Sequence, residues 1–190
     1  MLHTFQGRPF YGVSLQQIAE KAGEHPRVKT VWVQRSFPHT LYVGVTQRTP
    51  LATLEWGRQL FGVHEDGKLF PMDEEVDPSG LPQIVFLPGC SASTEEFPLF
   101  RRCVRMIQQH QQIGSPGGLI ERIAVRPTGN MIVHMQKSFT VYMGGDDFED
   151  QWRRVASILL SPSHILSEGT LYFSHAKPPV YTPAPTPNNK

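Results

Sequence analysis

The sequence is poor in the residues that mark a membrane span or a disulfide framework. Its two cysteines, Cys90 and Cys103, fit no metal-binding motif, and both a disulfide and two free thiols are consistent with their spacing. No apolar run approaches the roughly 20 residues that cross a bilayer. The amino terminus has no basic segment followed by an apolar one, as a signal peptide would have. The chain as given is therefore expected to be soluble.

A strong charge of one sign is also missing. Eighteen Lys and Arg residues face 17 Asp and Glu residues, which gives a formal net charge of +1. This balance argues against a general nucleic-acid or membrane-surface binder, so any such binding has to be local. The hydrophobic share of 39% in 190 residues predicts a folded core in one or two domains.

The first 50 residues predict a helix followed by a hairpin. Ser14 and Gln17 have the spacing of a capping box, and the apolar residues that follow lie on one helical face until Gly23 and Pro26 end the helix. Residues 28–35 and 41–46 then alternate with a period of two, which predicts two antiparallel strands around a turn.

The remaining residues predict a β-rich body with two helices. The pattern of residues 120–126, 131–135 and 139–143 predicts a meander, and residues 170–174 are expected to form the last strand. One helix is expected to begin at Thr94 and another at Asp146 or Asp147, because apolar residues recur at helical spacing after each. These apolar residues are Phe97, Phe100, Val104 and Ile107 in the first helix and Phe148, Trp152, Val155 and Leu159 in the second.

No motif carries convincing catalytic chemistry. GGDDF at 144–148 resembles a cyclase signature, but the amphipathic helix that follows favours a turn and a helix cap. Cys90 has no fixed histidine partner, the eight histidines lack ligand spacing, and HEDG at 64–67 fits a hairpin turn. Many short strands imply exposed sheet edges, which proteins either protect or use to add a partner strand. An interaction module is therefore expected, with no cofactor and no nucleic acid.

Several stretches together resemble one family. They are HPRVKTVWVQRSFPHTLYVGVTQRTPLA, HEDGKLFP, GLPQIVFLPG, SFTVYMGGDDFEDQWRRVASIL and TLYFSHAKPPVYTP. Their order resembles that of the POTRA domain and the following β domain of the bacterial cell-division family FtsQ, also called DivIB. The resemblance covers residues 9–181. It implies an α+β fold with an incomplete POTRA-like α/β unit at 1–49, a larger antiparallel β-rich domain with two packed helices at 50–181, and a disordered proline-rich tail at 182–190.

The resemblance also implies a function and a site. The expected role is a non-enzymatic divisome scaffold that recruits the FtsB and FtsL pair by adding a partner strand to its last β-strand. The implied contact residues are Tyr172, Phe173, Ser174, His175, Lys177, Val180 and Tyr181. Arg27, Lys29 and Arg35 form a possible second surface for acidic partners, against the simpler interpretation of a solvated strand face.

The implied location is the periplasmic side of the inner membrane, with the membrane reached only through an amino-terminal transmembrane helix that this sequence lacks. The alternative is a POTRA-type chaperone for outer-membrane protein assembly. That class predicts repeated POTRA units and a following barrel, which the sequence does not contain.

Overall fold

The computed structural model describes residues 12, 14–56, 59–72, 77–90, 98–136, 138–144, 147–161, 168–174 and 177–184. These ranges contain three helices and eleven strands in two sheets. In chain order the elements are α1 (Leu15–Gly23), β1 (Val28–Ser36), β2 (Thr40–Gln47), β3 (Ala52–Trp56), β4 (Gln59–Val63), β5 (Leu69–Pro71), β6 (Gln83–Phe86), α2 (Pro98–Gln112), β7 (Ile120–Val125), β8 (Met131–Met135), β9 (Phe139–Met143), α3 (Phe148–Leu160), β10 (Gly169–Ser174) and β11 (Lys177–Pro183).

Residues 14–50 contain the helix and the hairpin that the sequence predicts, and we call them the amino-terminal unit. The Ser14 side chain caps α1 by accepting a hydrogen bond from the Gln17 backbone N–H at 3.4 Å. The hairpin of β1 and β2 forms a separate two-stranded sheet, and α1 packs against β1 through the buried Ile18. None of these residues belongs to the hydrophobic core of the rest of the protein.

Strands β3 to β11 form one sheet in the order β11-β10-β9-β8-β7-β6-β3-β4-β5. Five of its eight strand pairs are antiparallel, and the β3–β6, β6–β7 and β9–β10 pairs are parallel. Two of the parallel pairs are joined through a helix, because parallel neighbours need a long crossover connection. Helix α2 connects β6 to β7, and α3 connects β9 to β10.

The core lies between this sheet and the two long helices. Apolar residues at helical spacing on α2 and α3 meet the alternate residues of the central strands that point to the same side. The most deeply buried of them include Leu54, Ile84, Cys103, Ile107, Ile123, Val133, Val141, Trp152, Val155 and Leu171. An α+β fold with two packed helices is therefore confirmed.

The carboxyl-terminal region differs from the expectation. The strand expected at residues 170–174 is not the last one, because β11 follows it and reaches Pro183, inside the segment expected to be a disordered tail. Pro178 and Pro179 face a register irregularity between Tyr172 and Ser174, and such bulges and edge positions are where strands tolerate proline. Residues 185–190 lie outside the described residues, as does the expected helix cap at Thr94.

Both cysteines are free thiols. Cys103 is buried in the core, and burial raises the pKa of its thiol to about 12. Among the described residues, no helix combines the length and the apolar character needed to cross a bilayer.

Candidate interaction surface

One of the two edges of the large sheet lies on β11, and the other lies on β5. Strand β10 pairs with β9 on one side and with β11 on the other, so it has no free edge for a partner. Within the described ranges, β11 pairs only with β10, and its second edge is unpaired. The sequence predicts that the strand at 170–174 forms this edge, but the edge strand is β11, its neighbour on the outside.

The sheet face away from α2 and α3 carries a row of apolar and aromatic side chains beside this edge. Val180 pairs with Tyr172 and Tyr172 with Tyr142 in the strand register. The Tyr142 and Tyr172 rings stack with centroids 4.9 Å apart, and the Arg126 guanidinium lies 5.9 Å from the Tyr142 centroid. Val180 is 55% exposed and Tyr172 45% exposed. We call Val180, Tyr172 and Tyr142 the face row.

The opposite side chains of β10 point into the core. Leu171 is 2% exposed and Phe173 is 7% exposed. Phe173 therefore packs inside the protein, although the resemblance implies that it contacts a partner. Successive side chains of a strand point to opposite faces, so Tyr172 points to the exposed face while Leu171 and Phe173 point to the core.

The other residues implied as contacts are spread along β10 and β11. Ser174 and Lys177 oppose each other in the strand register, and His175 lies outside the described residues. Tyr181 pairs with Leu171 and packs against the core, while its hydroxyl donates a hydrogen bond to the Glu168 carbonyl at 2.6 Å. Tyr181 thus anchors β11 from inside, and Val180 is the exposed side chain beside it.

Two residues of the expected basic surface on the hairpin make contacts within the protein itself. The Lys29 ammonium forms an ion pair with Glu65 at 2.9 Å. The Arg27 carbonyl accepts a hydrogen bond from the Arg48 N–H at 2.8 Å, which closes the base of the hairpin. Arg35 lies exposed near the other end of β1. The three residues therefore do not form one continuous cationic patch.

A cluster of charges joins the hairpin to the turn between β4 and β5. We call Lys29, Arg48, His64, Glu65 and Asp66 the junction cluster. Arg48 Nη1 donates to Asp66 Oδ2 at 2.5 Å, and His64 Nδ1 lies 2.9 Å from Asp66 Oδ1. The Arg48 side chain is only 8% exposed. Sequence reasoning missed this cluster, because HEDG also satisfies the requirements of a simple hairpin turn.

The carboxyl group of Asp66 is held in its charged form. Burial raises its pKa, but the Lys68 backbone N–H, His64 and Arg48 outweigh that effect through hydrogen bonds and lower the pKa to about 2. From α2, the Gln108 side chain donates to the Glu65 carbonyl at 2.9 Å and fixes the same turn. The junction is thus a polar and ionic contact between the amino-terminal unit and the sheet.

No activated nucleophile accompanies these surfaces in the described part of the chain. Burial raises the pKa of the Cys90 thiol, and its Sγ lies 3.4 Å from the Val125 carbonyl oxygen as a hydrogen-bond donor. Among the described residues, no three His, Cys, Asp or Glu side chains converge to hold a metal ion. What the arrangement offers chemically is an open strand edge, an aromatic face and a charged junction.

Comparison with known proteins gives one consistent family. The POTRA domain of FtsQ type matches residues 2–48. The chain is similar to the cell division protein FtsQ of Rickettsia felis, with 27% identity over 93 residues, which cover 49% of this chain and 33% of that protein. A second relative is the cell division protein FtsQ of Geotalea daltonii, with 32% identity over 79 residues, which cover 42% of this chain and 28% of that protein.

The likeness also extends beyond the amino-terminal unit. The cell division protein FtsQ of Streptomyces venezuelae is 29% identical over 162 residues, which cover 81% of this chain and 57% of that protein. The chain spans less than two thirds of the length of each of these relatives.

Proposed function

Because the chain is an FtsQ/DivIB-like protein, we propose that it acts in bacterial cell division as a non-enzymatic scaffold. The scaffold recruits a pair of division proteins of the FtsB and FtsL type. The names of the relatives support the cell-division role. In the same proposal, this part of the protein lies on the periplasmic side of the inner membrane. The alternative role as an outer-membrane assembly chaperone gains no support from these relatives.

The observation that carries the proposal is the unpaired edge of β11. An extended segment of a partner can add to such an edge, where backbone hydrogen bonds supply affinity and alternate side chains supply selectivity. The edge belongs to a strand whose partner, β10, is fixed between two neighbours, so the docking strand is already in place before binding. A preformed edge lowers the ordering cost of association.

The face row extends this contact from β11 across β10 and β9 on the exposed face of the sheet. A partner strand beside β11 brings its own side chains next to Val180, and Tyr172 lies one strand further in on the same face, within reach of a long side chain. Burying an exposed aromatic ring and its apolar neighbour stabilises a complex, and Tyr is enriched among the residues that dominate interface energies. Tyr172 and Val180 are therefore the proposed side-chain contacts, while Lys177 begins the edge strand and Ser174 lies opposite it on β10.

The test is a glutamate substitution on the exposed face. We expect Val180→Glu and Tyr172→Glu each to weaken binding of a purified FtsB–FtsL pair by about tenfold or more, because a desolvated carboxylate replaces an apolar contact. Isothermal titration calorimetry measures the affinity. Circular dichroism checks that each variant keeps the fold.

A matched control uses an exposed valine of the hairpin. Val45→Glu changes a residue that is 47% exposed on β2, away from the large sheet, and should leave the affinity unchanged. Wild-type affinity in both Val180→Glu and Tyr172→Glu would contradict a partner site at β11.

A further inference from the structure

A groove lies where the amino-terminal unit meets the large sheet. Its volume is about 510 Å³, within the range of sites that hold small ligands or a few residues of a peptide. One wall comes from the end of α1 and the start of β1, and the other from the β4–β5 turn and α2. We call it the junction groove, and its lining includes Glu24, Val28, Asp66, Lys68, Leu69 and Arg101.

The acidic residues that line the junction groove are already neutralised. Glu24 forms an ion pair with Lys21 at 2.6 Å, and Asp66 forms one with Arg48 at 2.5 Å. Both carboxylates therefore contribute little negative potential to the groove, since each has a cation in contact.

Two further cations line the groove without such a partner among the described residues. Lys68 and Arg101 line the groove, and in the described part of the chain neither side chain has an ion pair or a hydrogen bond. They stand on opposite elements, Lys68 in the β4–β5 turn and Arg101 on α2. Among the described lining residues, the charge that has no ion-pair partner is therefore positive, although the whole chain is close to neutral.

The groove also has apolar lining. Val28, at the start of β1, and Leu69, at the start of β5, both line it and are half-buried. A carboxylate beside an apolar side chain matches this arrangement, because the cations meet the charge and the lining covers the hydrocarbon.

We propose that the junction groove binds an acidic peptide segment of a partner protein. Its carboxylates pair with Lys68 and Arg101, and an apolar side chain rests on Val28 and Leu69. The site is separate from the β11 edge, since the β4–β5 turn lies at the opposite end of the sheet order.

The test measures binding of a defined probe peptide by fluorescence anisotropy. The probe is a labelled peptide of sequence Glu-Glu-Leu-Glu-Glu-Leu, and its control carries Lys in place of Glu. We expect saturable binding of the acidic peptide only. Lys68→Glu and Arg101→Glu should each weaken it by about fivefold or more, because an attraction is replaced by a repulsion.

Two control variants check that the loss of affinity arises at the junction groove. Arg154→Glu reverses an exposed charge on α3 outside the groove and should leave the affinity for the acidic peptide unchanged. Val180→Glu should also leave it unchanged, so failure of the β11 proposal does not imply failure of this one.

Three outcomes would overturn the proposal. The first is that the acidic peptide does not bind the wild-type protein. The second is that binding is insensitive to both Lys68→Glu and Arg101→Glu. The third is that these two variants lose affinity for phosphatidylglycerol vesicles, or lose self-association in sedimentation, while peptide binding stays as in the wild type. That result would assign the cations to a lipid surface or to a second copy of the chain.

Discussion

At the scale of single residues, Asp66 links the charge of the junction to the stability of the fold. Its pKa of about 2 lies below the ordinary value of 3.8, so the folded state binds this proton more weakly than the unfolded state. The stabilisation is therefore fully present above about pH 4 and is lost as the pH falls through 2. Because the Asp66 side chain is 41% exposed, solvent screening reduces this stabilisation to about 1 kcal/mol.

Removing this charge should change both stability and its pH dependence. We expect Asp66→Asn to lower the free energy of unfolding at pH 7 by about 1 kcal/mol or somewhat more, because Arg48 is left buried without its carboxylate partner. The difference from the wild type should shrink between pH 4 and pH 2. Urea titrations at several pH values measure it.

The control for Asp66 is a carboxylate in an exposed pair. Asp150 pairs with Arg153 at 2.6 Å on the surface of α3, and Asp150→Asn should change stability by less than about 0.5 kcal/mol. Equal losses in Asp150→Asn and Asp66→Asn would argue that the junction cluster has no special role.

Residue identity alone predicts part of these sites. Strand alternation correctly separates Tyr172 from Leu171 and Phe173. It does not say which side faces the core, because that depends on where α2 and α3 pack. Arg48 is harder still, since its partners Asp66 and His64 lie 16 to 18 positions along the chain and meet it only in the folded protein.

At the scale of elements, α3 holds the parallel pair β9–β10 together from one face of the sheet. Trp152 is 1% exposed and belongs to the core cluster, with the His110 ring packed edge-on at 5.4 Å. We expect Trp152→Ala to lower the free energy of unfolding by about 3–5 kcal/mol, because it removes a large buried side chain and leaves a cavity. Urea unfolding measures the loss.

A second tryptophan supplies the comparison. Trp56 is 36% exposed at the end of β3, with an edge-on contact to Phe86 at 6.4 Å. Trp56→Ala should therefore cost clearly less than Trp152→Ala. A similar loss in both variants would contradict the central position of α3 in the core.

Periodicity predicts the helices and most strands, but not how the strands are ordered. The helical spacing around Trp152 identifies α3 directly. Parallel and antiparallel strands share the period of two, so the parallel pairing of β9 with β10 leaves no local signal. The proline content of β11 favours a loop when only the local sequence is considered, and its position at the sheet edge is what makes it a strand.

At the scale of the whole molecule, the junction cluster is a contact between the amino-terminal unit and the large sheet within the described residues. Among the described residues, the hydrophobic core does not extend into residues 14–50, and the ion pairs Lys29–Glu65 and Arg48–Asp66 connect the two parts. We expect Arg48→Glu to widen the range of orientations between the two parts, because the ion pair becomes a repulsion. The double variant Arg48→Glu with Asp66→Arg should restore the narrow range.

Double electron–electron resonance measures this effect as a distribution of distances between two spin labels. Spin labels at Thr40→Cys on the hairpin and Arg154→Cys on α3, in a Cys90→Ser background, report the distance between the two parts. The buried thiol of Cys103 should not react in the folded protein. An unchanged distance distribution in Arg48→Glu would show that other contacts hold the joint.

The order of strands in the large sheet also has a consequence for assembly. Strand β11 lies at one border and β5 at the other, with eight spacings between them. At about 4.8 Å per spacing the two borders are roughly 40 Å apart along the sheet. The partner proposed for β11 and the peptide proposed for the junction groove would therefore lie near opposite borders of the sheet, far enough apart to bind at the same time.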